Sequence, residues 1–102
     1  MAINLKAITS CMGYQQISTL SSAQSLTVPE TNPVTGLKVM PTIALITPET
    51  NGVRWRDDGV APTASVGMPL AAGVSLQYDG DLKNIKFIEQ TASAKINISY
   101  YV

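Results

Sequence analysis

The sequence has no histidine and a single cysteine, tryptophan and phenylalanine, and only 14% of its 102 residues are charged. Each scarcity excludes something. Without histidine, a Ser–His or Cys–His catalytic pair cannot be assembled within the chain. With Cys11 as the lone cysteine there is no internal disulfide, and a zinc site built on cysteine and histidine has too few ligands. Cys11 also lacks a histidine or a clear basic neighbour to lower its pKa. It is expected to be a small, half-buried residue of a protein made in a reducing cytoplasm. Seven Lys and Arg balance seven Asp and Glu, so there is no surplus of positive charge for a sequence-independent grip on nucleic acid. No stretch approaches the ~20 apolar residues of a membrane span, and the N-terminus lacks the apolar run of about 7–15 residues that a secretory signal requires. The expectation is a protein with no direct nucleic-acid partner, no membrane, no metal and no other cofactor.

What is present is apolar and β-branched, with hydrophobic residues at 45% of the chain. That suffices for one domain, 1–102, burying roughly two-thirds of the surface its unfolded chain would expose. A net charge of zero gives little self-repulsion, which suits a chain that spends its life inside an assembly.

Turn formers recur throughout: Asn32-Pro33, Gly36, Pro41, Pro48, Asn51-Gly52, Asp57-Asp58-Gly59, Gly67, Gly73 and Asp79-Gly80. The runs between them keep a period of two rather than 3.6. The fold class predicted is all-β: a small antiparallel sandwich, jelly-roll-like, of about eight short strands. In 94–100, Ala94, Ile96, Ile98 and Tyr100 share one face, and Lys95, Asn97 and Ser99 the other. Val74, Leu76 and Tyr78 form a second such face, and the Asp79-Gly80 that follows reads as a hairpin turn. Pairing 73–78 with 82–90, and then with 94–102, predicts a three-stranded meander. Val53 and Trp55 should point inward, with Arg54 and Arg56 outward. In the apolar run 39–47, Pro41 suggests an edge position or a bulge. Segments 14–20 and 24–28 read as weaker strands, and 29–37 as a loop. Ile3, Leu5 and Ala7 alternate with Asn4 and Lys6, so 1–11 is expected to be an extended N-terminal arm or an edge strand.

No constellation points to catalysis. The acids of Asp57-Asp58-Gly59 and Asp79-Gly80-Asp81 lack the third acidic ligand and distal Glu of a calcium loop, and their spacing is that of turn chemistry. A pair of glycosidase carboxylates needs a cleft that so short a chain scarcely provides. The protein is therefore not expected to be an enzyme. Arg54 and Arg56 flank Trp55 as in a stacking platform for nucleic acid, but alternation sends the indole to the opposite face from both guanidiniums. Trp55 then serves as a core anchor. The arginines pair with Asp57 or Asp58, or reach a neighbouring subunit. Of the terminal tyrosines, Tyr100 points inward and Tyr101 outward, where it can serve as an interface contact. The candidate interface residues are Arg54, Arg56, Asp57, Asp58 and Tyr101.

The run Val53-Arg54-Trp55-Arg56-Asp57-Asp58-Gly59, followed by Ala61-Pro62-Thr63-Ala64, Gly67-Met68-Pro69-Leu70 and Ala72-Gly73, resembles a pattern in small structural proteins of tailed bacteriophages and prophages. Tyr78, Gly80-Asp81-Leu82, 85–88 and Ser99-Tyr100-Tyr101 extend the likeness, which covers about half the chain. The resemblance implies a virion component without catalytic residues, made in the host cytoplasm. Its implied role is a capsid decoration, or cement, protein on the outer capsid surface. It would bridge major capsid protein subunits and self-associate, with a trimer natural at three-fold positions. A neck, tail, baseplate or fibre-associated component is the alternative. A carbohydrate-binding module would require several exposed aromatics on one face, whereas Trp55, Tyr78 and Phe87 all read as core.

Overall fold

Strict alternation of apolar and polar residues makes a strand with one buried face, and 95–101 shows the result most plainly. Ile96, Ile98 and Tyr100 are buried, and Ala94 just before the strand is fully covered. The computed structural model describes residues 10–33 and 35–102. Among the described residues there are eight strands: β1 Cys11–Ile17, β2 Gln24–Ser25, β3 Ile43–Glu49, β4 Val53–Arg56, β5 Met68–Leu70, β6 Leu76–Tyr78, β7 Lys86–Glu89 and β8 Lys95–Tyr101.

Their pairing follows one rule. β1 lies antiparallel to β8, β2 to β7, β3 to β6 and β4 to β5. The chain is thus one long hairpin, four strands out and four back. It is rolled so that β3 also meets β8, and β4 also meets β7. Two four-stranded antiparallel sheets result, ordered β1-β8-β3-β6 and β2-β7-β4-β5. The all-β expectation is met. Phe87, Val53, Ile46, Ile85, Ile96, Ile98 and Tyr100 belong to the core cluster.

The predicted meander is not what forms. β6 pairs with β3 in the first sheet, β7 pairs with β4 and β2 in the second, and the segment between them crosses the sandwich. Leu82 and Ile85 explain why: both are buried, and a tight two-residue hairpin would leave them in water. Gly80 does not take the positive φ of a hairpin turn. It is needed because a Cβ there would lie 2.4 Å from the Tyr78 hydroxyl oxygen, whose ring folds back over it.

The expectation for Pro41 is corrected too. β3 begins only at Ile43 and is an interior strand, flanked by β8 and β6. The proline inside it is Pro48, whose carbonyl accepts a hydrogen bond from the Gly73 amide at 2.8 Å. In a strand, a residue's nitrogen and carbonyl point the same way, so the ring nitrogen faces the β6 side. The β3–β6 ladder has already ended at Ile46 and Leu76, so no ladder bond is lost. Cys11 is exposed, not half-buried, because it opens β1 at the sheet's edge. Of the expected arm or edge strand at 1–11, residues 1–9 lie outside the described residues; Ser10 is hydrogen-bonded to Val102 and Cys11 pairs with Tyr101.

The rolled topology sorts the connections by length. At one end lie the short ones, 18–23, 50–52, 71–75 and 90–94, which we call the turn end. At the other, the loop end, lie 26–42, 57–67 and 79–85, together with Ser10 hydrogen-bonded to Val102. The turn end is tightly drawn. Thr50 and Ser93 both adopt a φ of 74°, and the Asn51 side chain ties the two turns together by donating to the Ala92 carbonyl at 2.6 Å.

Candidate functional site

The candidate site lies at the loop end, where β4 runs out of the core. Alternation and register place Val53 and Trp55 on the inner face, with Trp55 opposite Phe87 on β7 and Met68 on β5. Val53 is fully covered, but Trp55 is only half-buried. Its ring meets Tyr78 of the other sheet edge-on, at 6.0 Å between centroids and 63° between planes. The two aromatics plug the sandwich where the sheets part. Trp55 also lines a cleft of about 360 Å³, together with Arg56, Asp57, Asp58, Val66 and Met68. Trp55 thus packs against the core on one side and lines the cleft on the other.

The five predicted interface residues have distinct fates. Arg54 does not pair with an acid. Its Nε donates to the Ala64 carbonyl at 3.1 Å and its Nη1 to the Gly67 carbonyl at 2.9 Å, which holds the 57–67 loop against β4. Gly67 is needed for that approach: a Cβ there would lie 3.1 Å from the Arg54 Cβ, and the backbone φ is +145°. Arg54→Lys is expected to destabilise the fold by about 1–2 kcal/mol, because an ammonium cannot span two carbonyls as the guanidinium fork does. Urea unfolding would measure this, and a midpoint equal to that of the unaltered protein would refute the clamp.

Arg56 and Asp58 do pair, through Nε to Oδ1 at 3.0 Å and Nη2 to Oδ2. The hydrogen bond to Arg56 lowers the Asp58 carboxyl pKa, and the same bond raises that of the guanidinium. At the cleft rim the pair presents a polar group of no net charge. Asp57 lines the cleft too, but its carboxylate accepts the Tyr78 hydroxyl at 2.7 Å and its carbonyl accepts the Asn84 side-chain amide at 2.6 Å. It fastens the end of β4 to β6 and to loop 79–85. Tyr101 is not part of this site. It lies half-buried on the outer face of the first sheet, opposite Cys11 and Ile43.

Desolvation, and then the bond to Asp57, push the Tyr78 hydroxyl up to about 12. Burial raises that of Tyr100 as well. In the unfolded chain a tyrosine ionises near pH 10, so above that point the unfolded state releases protons that the folded state retains. Stability from these groups is complete below pH 10 and is lost as pH rises towards 12. Tyr78→Phe is expected to flatten that alkaline fall, read as unfolding midpoints from pH 8 to 12; an unchanged slope would contradict the coupling.

Both acidic turns also have carboxylates that accept backbone amides. Asp58 Oδ1 accepts the Val60 amide at 3.4 Å, and Asp81 Oδ1 accepts the Lys83 amide at 3.1 Å.

Sequence reasoning missed the apolar rim. Of the seven large hydrophobic side chains exposed among the described residues, Leu37, Met40, Val60, Val66 and Met68 are all at the loop end; only Tyr14 and Val74 are elsewhere. In sequence an apolar residue in a loop looks like any core residue, so no local signal marks these five. Loops 26–42 and 79–85 are joined by Lys83 Nζ to Glu30 at 3.4 Å, and loops 57–67 and 79–85 by Asn84 to Asp57. The loop end is therefore one linked surface.

No family model matches the chain, and no curated protein or solved structure is found to be similar to it.

Proposed function

We propose that the protein is a structural component of a bacteriophage virion, and specifically a capsid decoration protein that attaches through its loop end to the major capsid protein on the outer surface of the head. One observation carries the reading: five of the seven exposed large apolar side chains among the described residues lie at one end of the sandwich, and two of them, Val66 and Met68, line a cleft with Trp55. Scattered exposed apolar residues need no explanation, but a gathered set marks an interaction surface. An apolar side chain of the partner entering the cleft would meet the indole, Met68 and Val66. It would be oriented by the neutral Arg56–Asp58 pair at the rim. Such a small desolvated pocket is where interface energy concentrates.

Three further points support the reading. The sequence of 53–101 resembles small phage structural proteins. The rolled order β1-β8-β3-β6 over β2-β7-β4-β5 is one we read as a jelly roll, an architecture used by viral capsid domains among others, although fold alone does not assign function. The absence of net charge suits a subunit held among neighbours. The mechanism is mechanical. Each bound copy stabilises the assembled shell by mass action, and many copies act together. A trimer around a three-fold axis would bring three loop ends onto adjoining capsid subunits.

Quantitative mass spectrometry of purified virions tests this. A copy number comparable to that of the major capsid protein is the expected result. A few copies per particle would move the protein to the neck, tail or baseplate, and its absence from virions would overturn the structural role.

A further inference from the structure

The outer face of the first sheet is not used by the capsid-binding reading. Register places Tyr14 opposite Ser99 and Gln16 opposite Asn97, and Tyr101 lies two residues beyond Ser99 on the same face. Glu49 joins them from β3, opposite Lys95. Tyr14 is 65% exposed, and its hydroxyl donates to Asn97 Oδ1. Asn97 belongs to the next cross-strand pair along, a diagonal reach of about 7–8 Å between Cα atoms. The Tyr14 side chain therefore reaches across the sheet towards β8 while remaining largely exposed. Beside it, Gln16 Nε2 donates to Asn97 Oδ1 at 2.9 Å and to Glu49 Oε1 at 3.1 Å, and Asn97 Nδ2 donates to Glu49 Oε1 at 2.9 Å. Three planar polar groups from three strands are thus held in place before any ligand arrives. Gln16 Oε1 and Glu49 Oε2 remain without a protein partner among the described residues.

We propose that this face binds a neutral oligosaccharide, with a pyranose ring stacked on Tyr14 and its hydroxyls hydrogen-bonded to the Gln16–Asn97–Glu49 network. A pyranose offers an apolar C–H face to an aromatic ring and a rim of hydroxyls that both donate and accept, which is the complement of what this surface presents. Charge selects the neutral class. Among the described residues the face carries one carboxylate within the network and Lys95 as its neighbour, with no cluster of arginines and lysines such as an acidic glycan or a phosphate demands. Of the aromatics on this face, Tyr14 is exposed and Tyr101 is half-buried beside it.

The test is an NMR titration of the isotopically labelled full chain with cellohexaose, maltohexaose and mannohexaose, one at a time. The expected result is amide shifts confined to 14–17 and 97–101 for at least one sugar, with a dissociation constant on the order of 1 mM. Tyr14→Ala is expected to weaken binding at least about fivefold, and Tyr14→Phe, which keeps the ring but loses its tether, by less. Tyr14 is exposed, so both variants should fold, and an unchanged amide spectrum elsewhere would verify this. Met68→Asp should leave the titration unaltered, which separates this site from the loop end. Three outcomes would overturn the proposal: no shifts on this face with any of the three sugars, shifts centred on the Trp55 cleft, or a Tyr14→Ala variant that binds as before. A change in the sedimentation of free Tyr14→Ala without any sugar response would assign the face to self-association instead, and would equally overturn it.

Discussion

Phe87→Ala is expected to lower the unfolding free energy by about 3–5 kcal/mol, the largest effect of any single substitution considered. Phe87 is the only phenylalanine, is fully covered, and lies on β7 between Gln24 of β2 and Trp55 of β4. Removing the ring deletes its transfer energy and leaves a cavity that neighbours in two rigid ladders cannot collapse to fill. A domain of this size has only about 5–15 kcal/mol in hand. The thermal midpoint should fall by roughly 12–40 °C, taking about 4–8 °C per kcal/mol for a chain of this length. Circular dichroism with temperature or urea would measure it. Ile88→Ala provides the control: its side chain is on the opposite face of the same strand, half-exposed, and should cost far less. A loss below about 1.5 kcal/mol for Phe87→Ala would mean that the second sheet does not pack on the first through this residue.

Met68→Asp is expected to abolish attachment to capsids while leaving the fold intact. Met68 is 56% exposed and lines the cleft beside Trp55, so its replacement should change stability by no more than about 0.5 kcal/mol. On a partner surface, the same carboxylate would be buried next to an indole with Asp57 and Asp58 nearby. The loss of affinity should be at least about thirtyfold, as for a residue at the centre of an interface. Co-sedimentation of purified protein with particles stripped of it would read the effect. Unaltered co-sedimentation would remove the loop end from the proposed interface, whatever the copy number in virions. Arg54→Lys provides a useful contrast, since it should cost stability by loosening the loop without placing a charge in the cleft.

The strands themselves were legible. From 94 to 100, one face is wholly apolar and the other wholly polar in reach, so alternation assigned every inward residue correctly. Val53 and Trp55 were likewise assigned to the inner face, and of the arginine pairings with Asp57 or Asp58 that were expected, Arg56–Asp58 forms. The connection at 79–85 was not legible. Asp79-Gly80 has the composition of a hairpin turn, and only the burial of Leu82 and Ile85 on the far side shows that the chain is crossing the core. Arg54 was assigned the wrong kind of partner because a guanidinium beside two aspartates suggests ion pairs. The carbonyls it actually binds, at Ala64 and Gly67, are backbone groups whose direction depends on the path of a loop.

Taken alone, the sequence determined that this is an all-β chain, which residues of β4 and β8 face inward, and that neither histidine chemistry nor an internal disulfide is available from these residues. Period and composition are local properties, and local rules are enough to settle them. Only the tertiary structure decided which strands are neighbours, that the long loops and their apolar side chains meet at one end, and that Tyr14 shares a face with Asn97 and Glu49. Those facts depend on pairings between residues as many as 90 positions apart, such as Cys11 with Tyr101. Alternation specifies which face of a strand is buried, but it is silent on which strand lies beside it.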